Sequence, residues 1–180
     1  MHPIQTFSRL SSRNDGLLKG IYFGIEGDSD SIDILKRIIK KLGSKFIEIK
    51  KQDKALYHAA CVVASNYLIT HLYNLDKLFR KVCDEEVMKV FTPIISRTME
   101  NALVYGIPES LTGPVMRDDK VTIKSHIKNI KKNISGVLDY YKFMGERTIE
   151  VAQKGDKLNT RQAKELRELF KKFTKQKNDF

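Results

Sequence analysis

The chain has 180 residues, enough for one medium domain or for a small domain with an appendage. Its 41% hydrophobic content supports a packed core and excludes wholesale disorder. The net charge of +11, from 33 Lys and Arg against 22 Asp and Glu, favours anionic partners such as nucleotides, phosphorylated substrates, nucleic acid or acidic lipid.

The basic residues are spread along the chain, so a lysine-rich surface is the better reading and a nucleic-acid role ranks below it. Of the two cysteines, Cys61 and Cys83, neither has metal-type or CxxC spacing. Cys61 lies in an apolar helix and reads as a small core residue. No apolar run approaches the roughly 20 residues that cross a membrane. His-Pro follows the first methionine directly, so no signal peptide is expected, and a reducing cytoplasm is the expected setting.

Residues 16–52 alternate between two periods. GIYFGIEG (20–27) is a short apolar run bounded by glycines and predicts a strand. DSDSIDILKRIIKKLG (28–43) predicts an amphipathic helix, with Ile32, Leu35, Ile38, Ile39 and Leu42 at helical spacing. Asp28, Ser29 and Asp30 offer caps, and Gly43 offers a stop. KFIEIK (45–50) alternates as a second strand, parallel to the first. Two strands and one helix leave exposed sheet edges and little core.

From residue 53 the signal turns helical. Residues 53–82 read as one long helix with an apolar stripe of Leu56, Ala59, Ala60, Val63, Tyr67, Leu72, Leu75, Phe79 and Val82. A second helix spans roughly 84–105, with Pro93 inside it. GIPESLTGPVMRDD is a loop by composition. Helices follow over 119–133, 135–152 and 159–173, the last capped by Asn159 or Thr160 and docking through Ala163, Leu166, Phe170 and Phe173. Residues 153–180 carry nine Lys and Arg against four Asp and Glu, which reads as a surface helix ahead of an anion- or partner-binding appendage.

Within KALYHAACVVASN (54–66), Lys54, His58 and Ser65 are polar and share one edge. At 100° per residue, Lys54 and His58 differ by about 40° and His58 and Ser65 by about 20°. Cys61 shares the edge and Asn66 borders it. Unpaired buried polar groups cost about 1–3 kcal/mol each. The line is therefore either a site, or a satisfied histidine, a solvated lysine and a serine bonded back to the carbonyl of Cys61. Two other stretches invite a site. HPIQTFS places His2, Gln5, Thr6 and Ser8 in one polar run. In SLTGPVMRDD, a Gly113-Pro114 turn followed by Arg117 presents a guanidinium for an anion, or Asp118 or Asp119 caps the next helix.

Taken in order, HPIQTFS, FGIEGD, KALYHAACVVASNYL, SLTGPVMRDD and YKFMGERTIEVA resemble a family of Rossmann-like oxidoreductases whose C-terminal half is a helical domain of unknown function. The resemblance runs from residue 2 to about residue 152. That family is similar to prephenate dehydrogenases, pyrroline-carboxylate reductases and ketopantoate reductases, where substrate lies between a dinucleotide-binding domain and a helical domain that often dimerises. The resemblance implies a mainly α chain. A helical C-terminal domain of the 6-phosphogluconate-dehydrogenase-like type would be preceded by a small α/β remnant of a Rossmann domain. The divisions expected are 1–52, a partial Rossmann-like segment; 53–152, the helical dimerisation and substrate domain; and 153–180, a basic helical tail.

The resemblance also implies roles. His2 is similar to the His-Pro histidine that lies beside substrate in prephenate dehydrogenases. His58 is expected as acid–base or hydrogen-bonding partner, with Ser65 and Asn66 holding substrate. Lys54 is similar in placement, though not in spacing, to the active-site lysine of related hydroxyacid dehydrogenases. Thr112, Gly113, Pro114 and Arg117 match a TGP-x-x-R signature, which implies substrate-loop positioning and an anion contact. The complete family implies NAD or NADP and a small carbonyl, imine or hydroxy-acid substrate. This chain has no GxGxxG, the glycine-rich turn that seats the pyrophosphate. The expectation is a chain that holds no dinucleotide tightly and is inactive or impaired alone. It would be rescued by a separate polypeptide carrying the missing strands, and it would form a homodimer through its helical domain. The competing reading is a non-enzymatic helical dimerisation module, told apart by whether His58 and Ser65 face a cleft or a sealed interface.

Overall fold

Alternation along Tyr22-Phe23-Gly24-Ile25 turns Phe23 and Ile25 to one face of strand β2 (Tyr22–Ile25), and both are buried. The structure is a computed structural model that describes residues 1–7 and 16–172. Ser8 of the N-terminal polar run and Phe173 of the last helix lie outside the described residues. Helix α1 (Ser29–Lys41) begins where the sequence predicts. Its cap is Asp28, whose Oδ1 accepts from the Ser31 amide at 2.8 Å. It ends at Gly43, with φ of 68°, where the Gly43 amide donates to Lys40 O and the Ser44 amide to Ile39 O. That left-handed glycine cap satisfies two terminal carbonyls.

Strand β3 (Lys45–Glu48) pairs parallel with β2, Phe23 opposite Phe46, as the strand–helix–strand reading requires. A third strand adds to the two that the sequence predicts. Strand β1 (His2–Pro3) pairs antiparallel with β2, His2 opposite Gly24, and the sheet order is β1-β2-β3. Pro3 has no amide to donate, which an edge strand tolerates. Phe23, Ile25 and Ile39 form the buried centre here, with Ile21, Ile32, Leu35 and Leu42 packed around it.

The long helical stretch is α2 (Lys54–Val62), a π-helical segment (Val63–Tyr67) and α3 (Leu68–Phe79), preceded by a 3-10 turn over Lys51–Asp53. The expectation of one continuous α-helix over 53–82 is corrected by the π segment at its centre. The reading of Cys61 as a core residue is corrected too. None of the residues from Lys54 to Phe79 is buried, and Leu56, Val63 and Tyr67 are more than half exposed. A 3.6-residue repeat reports an apolar face; it does not report what covers that face.

The chain divides into two compact units, Met1–His71 and Leu72–Phe180. The change of period near residue 52 marks where strands give way to helices, and the 71/72 division marks where internal packing changes. In the second unit, α4 (Val87–Tyr105) contains Pro93. Helices α5 (Lys120–Asn133), α6 (Leu138–Lys154) and α7 (Thr160–Lys172) follow. Ile123, Ile127 and Ile130 of α5, Ile149 and Ala152 of α6, and Ala163, Leu166 and Phe170 of α7 share one core. Gly145 makes the α6–α7 contact close. A Cβ there would sit 2.3 Å from the Phe170 ring. The described part of the basic segment, residues 153–172, contributes Leu166 and Phe170 to the core and leaves most of its charged side chains exposed. The architecture is mainly helical with a small three-stranded sheet.

Candidate functional site

Pairing of β1 with β2 decides where His2 stands. It places His2 opposite Gly24, the one residue of β2 with no side chain. Tyr57 of α2 fills the space that this leaves. A Cβ on Gly24 would meet the Tyr57 hydroxyl at 2.6 Å. From that slot the hydroxyl lies 2.9 Å from His2 Nδ1, with the two rings edge-on at 5.7 Å. The His58 ring stands edge-on to His2 at 6.0 Å. One turn of α2 thus brings two residues, Tyr57 and His58, against the histidine of β1.

Beside them is a cavity of about 200 Å³ lined by His2, Ile4, Gln5, Thr6, Cys61, Ala64 and Ser65. Burial, and then the Cys61 thiol next to it, push the Tyr57 hydroxyl up to about 12, so the phenol is neutral across the physiological range. Cys61 is half-buried against Tyr57 and the cavity, and is not a residue of the closed core.

Ser65 and Asn66 lie within the π-helical segment. A π turn widens the helix by one residue and shifts side chains off the α-helical line, and such turns recur at functional sites. Ser65 Oγ lies 2.9 Å from Cys61 O and 2.8 Å from Asn66 Oδ1. A hydroxyl has one proton to donate. With two acceptors already competing for it, Ser65 is suited to accept from a ligand rather than donate to it. The back-bond to Cys61 is the non-functional alternative that the sequence offers for this serine, and it coexists with a place on the cavity wall.

Lys54 is engaged elsewhere. Its Nζ is 2.9 Å from Glu26 Oε2, and that contact holds the Glu26 carboxyl below its usual value. The lysine is 70% exposed, so the pair is a surface ion pair of small energetic weight. Thr112 and Arg117 belong to the second unit, where both are exposed on the turn that leads into α5. Gly113 has φ of 99° there, and the Arg117 amide donates to Gly113 O. Asp119 is the residue that caps α5, accepting from both the amide and the hydroxyl of Thr122. Asp118 has φ of 53° and bonds Lys120, which also reaches Glu165 of α7.

The first unit therefore gathers His2, His58 and Ser65, with Asn66 bonded to Ser65. It adds Tyr57, which the sequence does not single out. A glycine inside a short strand marks a close approach of another group, and Gly24 was the available signal. Among the described residues, no group of three or more His, Cys, Asp or Glu side chains is placed to hold a metal ion.

Residues 21–148 match the family model described as "Domain of unknown function (DUF2520)". The chain belongs to the DUF2520 family. The DUF2520 match takes in Tyr57, His58, Ser65, Thr112 and Arg117; His2 precedes it and α7 follows it. The chain is also similar to a solved structure, "Crystal structure of protein TM1727 from Thermotoga maritima", at 28% identity and a TM-score of 0.72. That likeness covers 85% of this chain and 60% of the other, so the DUF2520 chain spans well under two thirds of the Thermotoga protein. No curated protein matches the chain. Neither name states an activity.

Proposed function

We propose that this chain is the substrate-binding and dimerisation part of an NAD(P)-dependent oxidoreductase acting on a small carbonyl, imine or hydroxy acid, with a helical domain of the 6-phosphogluconate-dehydrogenase-like type. The observation that carries the reading is the cavity against which β1 and α2 set His2, Cys61 and Ser65. A cavity of about 200 Å³ suits a molecule of a few heavy atoms. His2, flanked by His58, would orient or protonate the substrate oxygen or nitrogen. Ser65 would accept from a hydroxyl or amine.

The dinucleotide has no seat on the strand–turn–helix step of β2 and α1. Glu26 precedes the turn, Asp28 caps the helix, and Asp30 lies in its first turn. Those carboxylates repel a pyrophosphate where a cofactor-binding helix would attract one. In this reading the nicotinamide group is supplied by other residues, from another polypeptide or a longer form of the protein, and it would carry the hydride. The residues described here bind and orient the substrate.

Dimerisation rests on apolar surface. Ile94 is 62% exposed and Leu103 83% exposed, and Val104 and Tyr105 stand out beside Leu103 on α4. Apolar side chains in that density mark an association surface. Sedimentation of the purified chain is expected to show a dimer. The Ile94→Lys, Leu103→Lys double variant should be a folded monomer, with a melting temperature that no longer rises with protein concentration. A native chain that stays monomeric at tens of micromolar would remove this part of the reading. The helical-module alternative asks His58 and Ser65 to be sealed in an interface; the place of Ser65 on a cavity wall supports the substrate reading.

The test of the whole is calorimetric titration with NADH and NADPH at low and moderate salt, alongside NMR titration with pyruvate and glyoxylate. Small-acid shifts confined to His2, Ser65 and their neighbours, without saturable dinucleotide binding, are expected. Saturable dinucleotide binding would overturn the half-site assignment. Absence of any shift near His2 would overturn the substrate site.

A further inference from the structure

The His2–Tyr57 contact is over-determined in a way that simple packing does not require. A tyrosine packed only for its ring could leave its hydroxyl in solvent. Here the hydroxyl is brought onto the sheet at the one residue that lacks a Cβ, and Gly24 would collide with it if it carried one. The same β2 residue is the pairing partner of His2. Strand pairing and the glycine slot thus fix both ends of one 2.9 Å contact between a phenol and an imidazole.

From that juxtaposition we propose that Tyr57 is a positioning residue: its hydroxyl donates to His2 Nδ1 and locks the ring in the tautomer that carries its proton on Nε2. This rests on the substrate-site reading above and deepens it. The direction of the bond follows from the groups present. A neutral phenol has one proton, and burial keeps it on the oxygen. Its neighbours are an imidazole nitrogen and the thiol of Cys61. An imidazole nitrogen is a strong acceptor and a thiol sulfur a weak one, so the proton is given to Nδ1. Nδ1 is then occupied, and Nε2–H is the group His2 has left for the cavity it lines. The site would accordingly offer a hydrogen-bond donor from His2 and an acceptor from Ser65. That pairing selects a ligand that carries both an acceptor and a donor, as an α-hydroxy acid or its amine counterpart provides.

Without Tyr57, a histidine on a two-residue edge strand keeps its strand pairing and the edge-on His58 ring but loses the hydrogen bond at Nδ1 that sets its tautomer. The second unit holds an internal control. His126 Nδ1 lies 2.8 Å from the Tyr141 hydroxyl, with the rings edge-on at 6.0 Å. The two pairs have the same chemistry in different units.

The experiment is 15N NMR of the full chain labelled at its four histidines, at about pH 8.5, where an ordinary imidazole is neutral. Signals are assigned with His2→Gln and His126→Gln. The native chain is expected to show His2 in a single tautomer, protonated at Nε2, with Nδ1 shifted as a hydrogen-bond acceptor. In Tyr57→Phe that Nδ1 shift should be lost and the ring signals should average, while those of His126 stay in place. Tyr141→Phe should do the reverse. A His2 ring protonated at Nδ1, or a spectrum unchanged by Tyr57→Phe, would overturn the proposal. The native spectrum fixes the tautomer by itself, so the proposal stands or falls even with a Tyr57→Phe chain that does not fold. The measurement contains no substrate or cofactor. Its failure is therefore distinct from a failure of the titrations, which test whether the cavity binds anything.

Discussion

The two units of this chain have unequal interiors. The second buries Ile123, Ile127, Val137, Ile149, Leu166 and Phe170 in a core shared by three helices and the turns between them. Among the described residues, the first has a buried centre of Phe23, Ile25 and Ile39 alone. Small cores support little net stability, because burial must offset the conformational entropy lost by every ordered residue. Yet the cavity lined by His2 and Ser65 and the His2–Tyr57 contact are on the thinner unit. The contrast points to a division of labour: the helical unit is the anchor, and the α/β unit holds its site with strand pairing, a glycine slot and a few hydrogen bonds.

The largest expected effects break that contrast directly. Phe170→Ala removes a ring that packs on Gly145 and should cost about 3–5 kcal/mol. Ile39→Ala should cost about 2–5 kcal/mol. Hydrogen exchange distinguishes the two. In Phe170→Ala the amides of α5–α7 should lose protection while those of β2 and α1 keep theirs; in Ile39→Ala the pattern should reverse. If either change strips both units together, the two interiors are one cooperative system and the division is wrong.

How much of this was legible in the sequence differs in the same way. Helix α1 was readable to within a residue or two, because its cap, its period and its glycine stop are local signals that agree. The core face of α7 was readable, since Ala163, Leu166 and Phe170 repeat at helical spacing and find partners nearby in sequence. Strand β1 was not, because two residues carry no period and Pro3 argues against a strand. The π segment was not either: VASNY has nothing in its composition that distinguishes i→i+5 from i→i+4 bonding. The polar line of Lys54, His58 and Ser65 was visible, but only pairing across the sheet could show that Lys54 turns to Glu26 while His2 joins His58. Thr112 and Arg117 were legible as a turn, and the structure gives them that turn in the second unit.

A middle-sized effect sharpens the comparison at the site. Gly24→Ala adds a Cβ 2.6 Å from the Tyr57 hydroxyl. Overpacking of this kind costs about 1–3 kcal/mol. Because the clash is with the far end of a tyrosine side chain, the ring can swing away in place of the sheet. The expected outcome is a modest fall in melting temperature with the His2 ring released. A full loss of β1–β2 protection would mean that the slot carries the sheet itself.

The smallest effect concerns the ion pairs that fasten the helical unit. Glu165 is held below the usual carboxylate range by its hydrogen bond to Lys120 first and by Arg161 second. A carboxyl with a lowered folded value adds stability above its unfolded value and loses it as pH falls through the folded one. Lys120 is raised by Glu165 and then by Asp118, so its share is present below the usual lysine value and is lost as pH rises through the raised one. The native helical unit should therefore lose stability on both the acid and the strongly alkaline side. Glu165→Gln removes the carboxylate, so its melting temperature should start lower at neutral pH and fall less steeply between about pH 5 and pH 3. Both groups are only half-buried, so solvent reaches the pair and added salt should shrink the difference between the two chains. Parallel acid limbs for the native chain and Glu165→Gln would mean that the Lys120–Glu165 pair adds nothing measurable to the docking of α7, which its apolar face would then carry.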